Sequence, residues 1–171
     1  GDRAYVASGL IQPFRVLVVW DPRAPRLIAS LDRGDGVAIA VDGDDAFVAG
    51  GSNGLAVIDA RGPVVRGSFD EAGHARALRV IGDRAYVADM EGGLRILDVR
   101  DPSRPELLHT IETKRPPHAV ELDGSILYSV ARYQDVAFQT SGYLEIFDLS
   151  DPSAPRALGE LGFNGWVDTV A

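Results

Sequence analysis

One phrase, written four times, constrains this chain more than any other feature. Gly1 opens "GDRAYVASG", Gly43 opens "GDDAFVAGG" and Gly82 opens "GDRAYVADM", and "GSILYSVAR" from Gly124 aligns with them. The spacings are 42, 39 and 42 residues. A fixed period in this range marks a propeller, a solenoid or an array. Inside each unit lie four β-rich runs bounded by turn residues, each of which reads as a strand. The first runs are Ala4–Ala7, Ala46–Ala49, Ala85–Ala88 and Ile126–Val130. The second are "FRVLVV" from Phe14, "LAVIDA" from Leu55, "LRILDV" from Leu94 and "LEIFDL" from Leu144. The third start at Leu27, Val64, Leu107 and Ala157, and the fourth at Val37, Ala75, His118 and Trp166. No window holds helical spacing for about ten residues, and solenoid repeats of this length are usually helical. The pattern therefore predicts an all-β chain, a β-propeller of four-stranded antiparallel blades.

Proline-rich turns join the second run to the third: "DPRAP" at Asp21–Pro25, "DPSRP" at Asp101–Pro105 and "DPSAP" at Asp151–Pro155. Proline pre-sets the backbone angle of its turn position, and the preceding Asp can accept a backbone N–H. The second unit has the shorter "DARGP", which explains its 39-residue spacing. Asp59, Asp98 and Asp148 end their strands where a carboxylate can pin the corner, whereas Val18 takes that place in the first unit. The segments "LAVIDA", "LRILDV" and "LEIFDL", with "GDRAYVAD" before and "DPSRP" after, resemble the LVIVD repeat. That resemblance covers the whole chain and implies the LVIVD-repeat β-propeller family, found mostly in bacterial and archaeal surface or secreted proteins. It therefore also implies a place outside the cell or in its envelope. The family brings no shared catalytic motif, so it speaks to fold rather than activity.

The reading is of a single propeller domain over residues 1–171, with repeats beginning at about 1, 43, 82 and 124. The chain starts at the second strand of a blade and ends at a first strand, so the segment 166–171 is expected to complete the first blade. A closed four-bladed ring, half of an eight-bladed ring made by two copies, and a piece of a larger propeller all fit this count. The opening at Gly1, without methionine or an apolar leader, is what is expected of a processed or excised chain.

Composition narrows the partners. A net charge of −8 and a pI near 4.8 argue against nucleic acid, where binding depends on neutralising phosphates. They argue equally against docking on anionic lipid. No apolar run approaches the roughly 20 residues that span a bilayer, so no membrane insertion is expected. The absence of cysteine removes disulfides, thiolate chemistry and cysteine-ligated zinc.

Variation between the units concentrates in loops on one propeller face, at Asp32–Gly36, Asp70–His74, Glu112–Pro117 and Gly162–Gly165, and in the loops between paired inner strands. Val37, Arg76, His118 and Asp168 share one repeat position at the channel mouth, where they converge on a ligand or form a solvated ion-pair ring. The stretch Ala131–Gly142 reads as a long loop carrying Arg132, Tyr133, Asp135 and Phe138, suited to a peptide, a sugar or a partner surface. Its aromatics fit capping of their own blade equally well. Trp166 joins these residues as a candidate contact, and the loop Ser8–Pro13 offers Leu10 and Ile11 to the channel or a partner.

Reactive arrangements are missing. His74, His109 and His118 lack HExxH spacing, and there is no GxSxG, P-loop or dinucleotide fingerprint, so no catalytic residue, metal or cofactor is assigned. "DGDD" at Asp42–Asp45 lacks the spacing of a calcium loop, and "GGSNG" at Gly50–Gly54 has no helix to make a phosphate cradle; both read as turns. The leading expectation is a non-enzymatic binding or scaffold module with a protein or glycan partner. A hydrolase or lyase using His118 as base beside Arg76 is the competing reading. A purely structural segment of a larger surface protein is the third.

Overall fold

The computed structural model describes residues 3–6, 14–18, 23–24, 26–31, 37–59, 61, 64–71, 73–134, 140–165 and 167. Among them are fifteen strands and no helix. An N-terminal sheet holds β1 (Arg3–Val6), β2 (Phe14–Val18) and β3 (Arg26–Leu31). Blade two holds β4 (Ala38–Asp42), β5 (Asp45–Ala49), β6 (Leu55–Asp59) and β7 (Val65–Phe69). Blade three holds β8 (Ala75–Ile81), β9 (Arg84–Asp89), β10 (Gly93–Asp98) and β11 (Glu106–Ile111). Blade four holds β12 (Pro117–Asp123), β13 (Ile126–Gln134), β14 (Thr140–Asp148) and β15 (Arg156–Asn164). Every pairing is antiparallel and joins consecutive strands. The three complete sheets are propeller blades with β4, β8 and β12 innermost, and β8 packs on both of the others. Each blade opens with the last run of one sequence unit and continues with three runs of the next, as the strand count requires. The segment 166–171 and the loop Ser8–Pro13 lie outside the described residues.

Blade three shows why these sequences stay flat and apolar. Ala85 to Asp89 on β9 are all buried, because a neighbouring blade covers each face of the sheet. A strand covered on both sides reads as a nearly continuous apolar run instead of an alternating one. Phe47, Leu55 and Val57 of blade two share a core with Leu78, Val87 and Leu97 of blade three. Tyr86, Leu94 and Ile96, on blade three's other face, share a core with Val120, Leu127 and Phe147 of blade four. Burying a side chain such as Leu94 or Ile96 contributes about 1.5–3 kcal/mol.

The repeated glycine has a backbone cause. Gly43, Gly82 and Gly124 each open the two-residue turn into the second strand of a blade, with φ of 55°, 56° and 58°. The corners behave as the aspartates predict. Backbone N–H groups of Arg61, Arg100 and Ser150 donate to Oδ1 of Asp59, Asp98 and Asp148 at 2.8, 3.0 and 2.8 Å. Within the proline turns, Ser103 and Ser153 N–H donate likewise to Asp101 and Asp151. The guanidinium groups of Arg66 on Asp59 and Arg100 on Asp98, the hydroxyls of Ser103, Ser150 and Ser153 on Asp101, Asp148 and Asp151, and then these backbone hydrogen bonds hold the corner carboxyls below the usual carboxylate range.

One expectation is corrected. Most of the stretch read as a loop at Ala131–Gly142 is strand. Arg132 pairs with Gly142, Tyr133 with Ser141 and Gln134 with Thr140, leaving only residues 135–139 between β13 and β14. A third strand supports the extension: β15 runs to Asn164, and the Phe163 ring fills the place a Cβ on Gly142 would take. For the same reason Gly162–Asn164 is strand, not loop.

Candidate functional site

The loops leading into β8 and β12, the turn after β9 and the far end of β13 share one face of the blades. Two buried carboxylates fix this face, and neither repeats from blade to blade. Asp89 ends β9 with only 3% of its surface exposed. Its Oδ1 accepts the N–H of His74 at 2.8 Å and those of Glu91 and Gly92 at 3.1 Å, while Arg95 Nε donates to Oδ2 at 2.8 Å. Gly73 allows the loop to lie against this carboxylate, since a Cβ there would fall 2.0 Å from it. Arg95 also lies 5.8 Å from the Phe69 ring of the preceding blade, a cation–π contact. One carboxylate thus ties the entry loop, the next turn and an arginine together.

Glu145 plays the corresponding part in blade four. It is 6% exposed, and both its oxygens accept the Lys114 N–H at 3.2 Å. Across the ladder from it stands Glu160, whose carboxylate pairs with the Lys114 ammonium. Burial raises the Glu145 pKa, whereas the Lys114 ammonium and the Tyr143 hydroxyl lower that of Glu160. Arg115 completes the anchoring by stacking over Tyr133 at 4.4 Å. Because the folded pKa of Glu145 lies above its unfolded value, the native state holds more protons just above the usual carboxylate range. Stability therefore falls as pH rises through that window. Glu145→Gln keeps an acceptor for Lys114 and removes the buried charge. It is expected to stabilise the fold at pH 8 by roughly 0.5–1 kcal/mol and to change little at pH 4. Urea titrations at the two pH values check this, and an equal effect at both would rule out charge burial as the cause.

Between the β9–β10 turn (Met90–Gly92) and the entry loop Glu112–Pro116 lies an open depression of about 410 Å³. Its rim carries Glu91, Glu112, Lys114 and Arg115, so it presents both signs of charge. A second depression, of about 400 Å³, lies among the corner residues. There Arg100 and Arg104 pair with Asp98 and Glu106, which leaves little charge for a ligand.

The channel-mouth residues predicted from the repeat come together in part. Arg76 on β8 lies beside His118 on β12, Nη2 to Nε2, at 2.9 Å. A guanidinium can only donate, so His118 Nε2 is the acceptor in this bond. Three residues further along each strand, Arg79 grips Glu121 with Nε 2.9 Å from each carboxylate oxygen. Both pairs join residues 42 apart, one repeat, and stitch adjacent inner strands. Arg132 and Tyr133 are half-buried on β13. Asp135, Trp166 and Asp168 lie outside the described residues. Among the described residues, no group of His, Asp or Glu could hold a metal ion.

Sequence reasoning missed Asp89, Glu145 and the Arg79–Glu121 pair. A signal existed for two of them. Glu145 is a charge inside a buried apolar run, and Arg79 and Glu121 are opposite charges one repeat apart.

Comparison with known proteins agrees with this architecture. The model of the LVIVD repeat matches residues 33–60, 72–113 and 133–161, more than half of the chain. None of the curated proteins matches significantly. Among solved structures, the computationally designed Ika8 protein is similar over 99% of this chain and 49% of its own, with 12% identity and a TM-score of 0.73. The computationally designed Ika4 protein is similar over 88% of this chain and 87% of its own, with 11% identity and a TM-score of 0.65. A chain in a complex of S. cerevisiae Dbp5 with Nup159, Gle1, IP6 and ADP is similar over 92% of this chain and 45% of its own, with 13% identity and a TM-score of 0.62. This chain thus spans about half the length of the first and third of these. By its repeats, its blades and the matched family model, the chain belongs to the LVIVD repeat family of β-propeller proteins.

Proposed function

We propose that the chain is a non-enzymatic binding module, working outside the cell or in its envelope, that presents its loop face to a protein or glycan. The carrying observation is how that face is held. Asp89 and Glu145 are buried acceptors for the backbone of two entry loops, so the loops are fixed in shape while Glu91, Glu112 and Arg115 stay at the surface. Loops fixed on a rigid scaffold bind at a lower ordering cost. Among the described residues of the channel mouth, His118 Nε2, the atom a general base would use there, already accepts from Arg76, which supports the binding reading over a hydrolase or lyase.

The test is capture of envelope proteins and arrayed glycans by the immobilised chain, compared with an Arg132→Ala/Tyr133→Ala variant. Removing both side chains, and with Tyr133 the stacking partner of Arg115, is expected to weaken capture at least tenfold, about 1.4 kcal/mol, while thermal unfolding stays cooperative. Undiminished capture would move the contact away from this end of β13. Turnover of ester, glycoside or lactone substrates that disappears in His118→Ala would replace the binding reading with an enzymatic one.

A further inference from the structure

The sequence around residue 115 holds one arginine in place at the edge of the loop-face depression. Residues 112–117 read "ETKRPP". Lys114 is tied by its backbone N–H to buried Glu145, and Pro117, itself fully buried, opens β12. Between them, Pro116 confines Arg115 to extended backbone, because its ring clashes with a helical residue before it. The side chain is held as well, since the guanidinium stacks over Tyr133 at 4.4 Å. Arg61, Arg66, Arg79, Arg95, Arg100 and Arg104 each pair with a carboxylate, as expected in a chain with 25 acidic residues against 17 basic ones. Arg115 pairs with none among the described residues.

The depression that Arg115 lines, of about 410 Å³, falls within the range of about 300–1,000 Å³ usual for small-ligand sites. Lys114, the other cation of its lining, is already engaged, with its ammonium held by Glu160. Thr110, Thr113, Glu91 and Glu112 supply hydroxyls and carboxylates, which accept hydrogen bonds from a polyhydroxylated ligand. The large apolar anchors that dominate protein interfaces are missing from the lining, whose apolar side chains are Met90 and Pro116. A guanidinium fork matches a carboxylate bidentately, and one already stacked loses little freedom on binding. We infer that this depression binds an acidic sugar, with the carboxylate of a uronic acid on Arg115 and its hydroxyls on Glu91, Glu112 and the threonines. This assignment rests on the loop face being a binding surface and names the ligand class for it. A net charge of −8 repels polyanions at long range, so the site suits a glycan with isolated acidic residues better than an acidic polymer.

The experiment titrates the isotope-labelled chain with methyl glucuronide at about 0.15 M salt and follows backbone and arginine Nε–H resonances by NMR. Saturable shifts are expected at Met90–Gly92, at Glu112–Arg115 and at the Arg115 Nε–H. Methyl glucoside, the same ring with a hydroxymethyl group in place of the carboxylate, should bind about tenfold more weakly. Arg115→Gln and Arg115→Lys should each weaken glucuronide binding about tenfold, because neither replacement offers the stacked fork. Arg115 is exposed, so both variants should keep the wild-type spectrum away from this loop. No saturable shift, equal binding of the glucoside, or unchanged affinity in Arg115→Gln overturns the inference. Acetate or triglycine binding as tightly as the glucuronide overturns it too, since the site would then serve bare carboxylates or peptides. Capture of proteins or neutral glycans by the immobilised chain, with no glucuronide response, overturns the ligand class alone. With no glucuronide response and nothing captured, the binding reading falls with it.

Discussion

Asp89→Ala is expected to cost about 3–5 kcal/mol, the largest effect of any single polar substitution on the loop face. The side chain accepts three backbone N–H groups and one guanidinium, and the residue is 3% exposed, so water cannot readily take its place. Removing one partner from a buried hydrogen bond costs the remaining group its full desolvation, and a buried charge suffers more than a neutral group. Asp89→Asn keeps one oxygen acceptor and should lose about half as much. Urea denaturation measures both, with a lower midpoint and an unchanged slope as the sign of a stability effect alone. A loss below about 1 kcal/mol in Asp89→Ala would mean that the entry loop is held by other contacts.

Ile96→Ala is the second large effect. Ile96 is 0% exposed in the seam between blades three and four, where truncation leaves a cavity that packed neighbours cannot fill. The expected cost is about 2–5 kcal/mol. Ile146 occupies the same repeat position in blade four, opposite Tyr128 as Ile96 is opposite Tyr86. It is half-buried, so Ile146→Ala should cost about 1 kcal/mol in the isolated chain. Equal costs for the two substitutions would contradict the difference in burial between Ile96 and Ile146.

The blades were legible because their causes are local. A strand of "AYVA" type, a glycine turn and an Asp–Pro corner each act within a few residues, and each recurs with the period. The Arg76–His118 contact was legible for another reason: equal repeat positions on adjacent inner strands must be neighbours. What repetition could not reveal were features unique to one blade. At the position of Asp89 the other units carry Ser8, Gly50 and Ala131, so its hydrogen bonds to His74, Glu91 and Gly92 had no counterpart to announce them. Glu145 aligns with Arg95 and Ala56, three residues with different partners. The extension of β13 and β14 depended on Phe163 packing over Gly142, a contact between residues 21 apart whose spacing matches no period of the chain.

The two anchoring carboxylates also redraw where one module stops and the next begins. His74 is fastened to Asp89, and Lys114 to Glu145, so each connecting segment belongs mechanically to the sheet it enters, not the one it leaves. The repeating phrase places its joint at Gly82 or Gly124, but cutting there would divide a hairpin inside a sheet. Natural points of division fall near Asp70 and Glu112 instead, just after an outermost strand. Excising, duplicating or exchanging a segment from Asp70 to Ile111 would carry a complete sheet together with the leash that shapes its loop face.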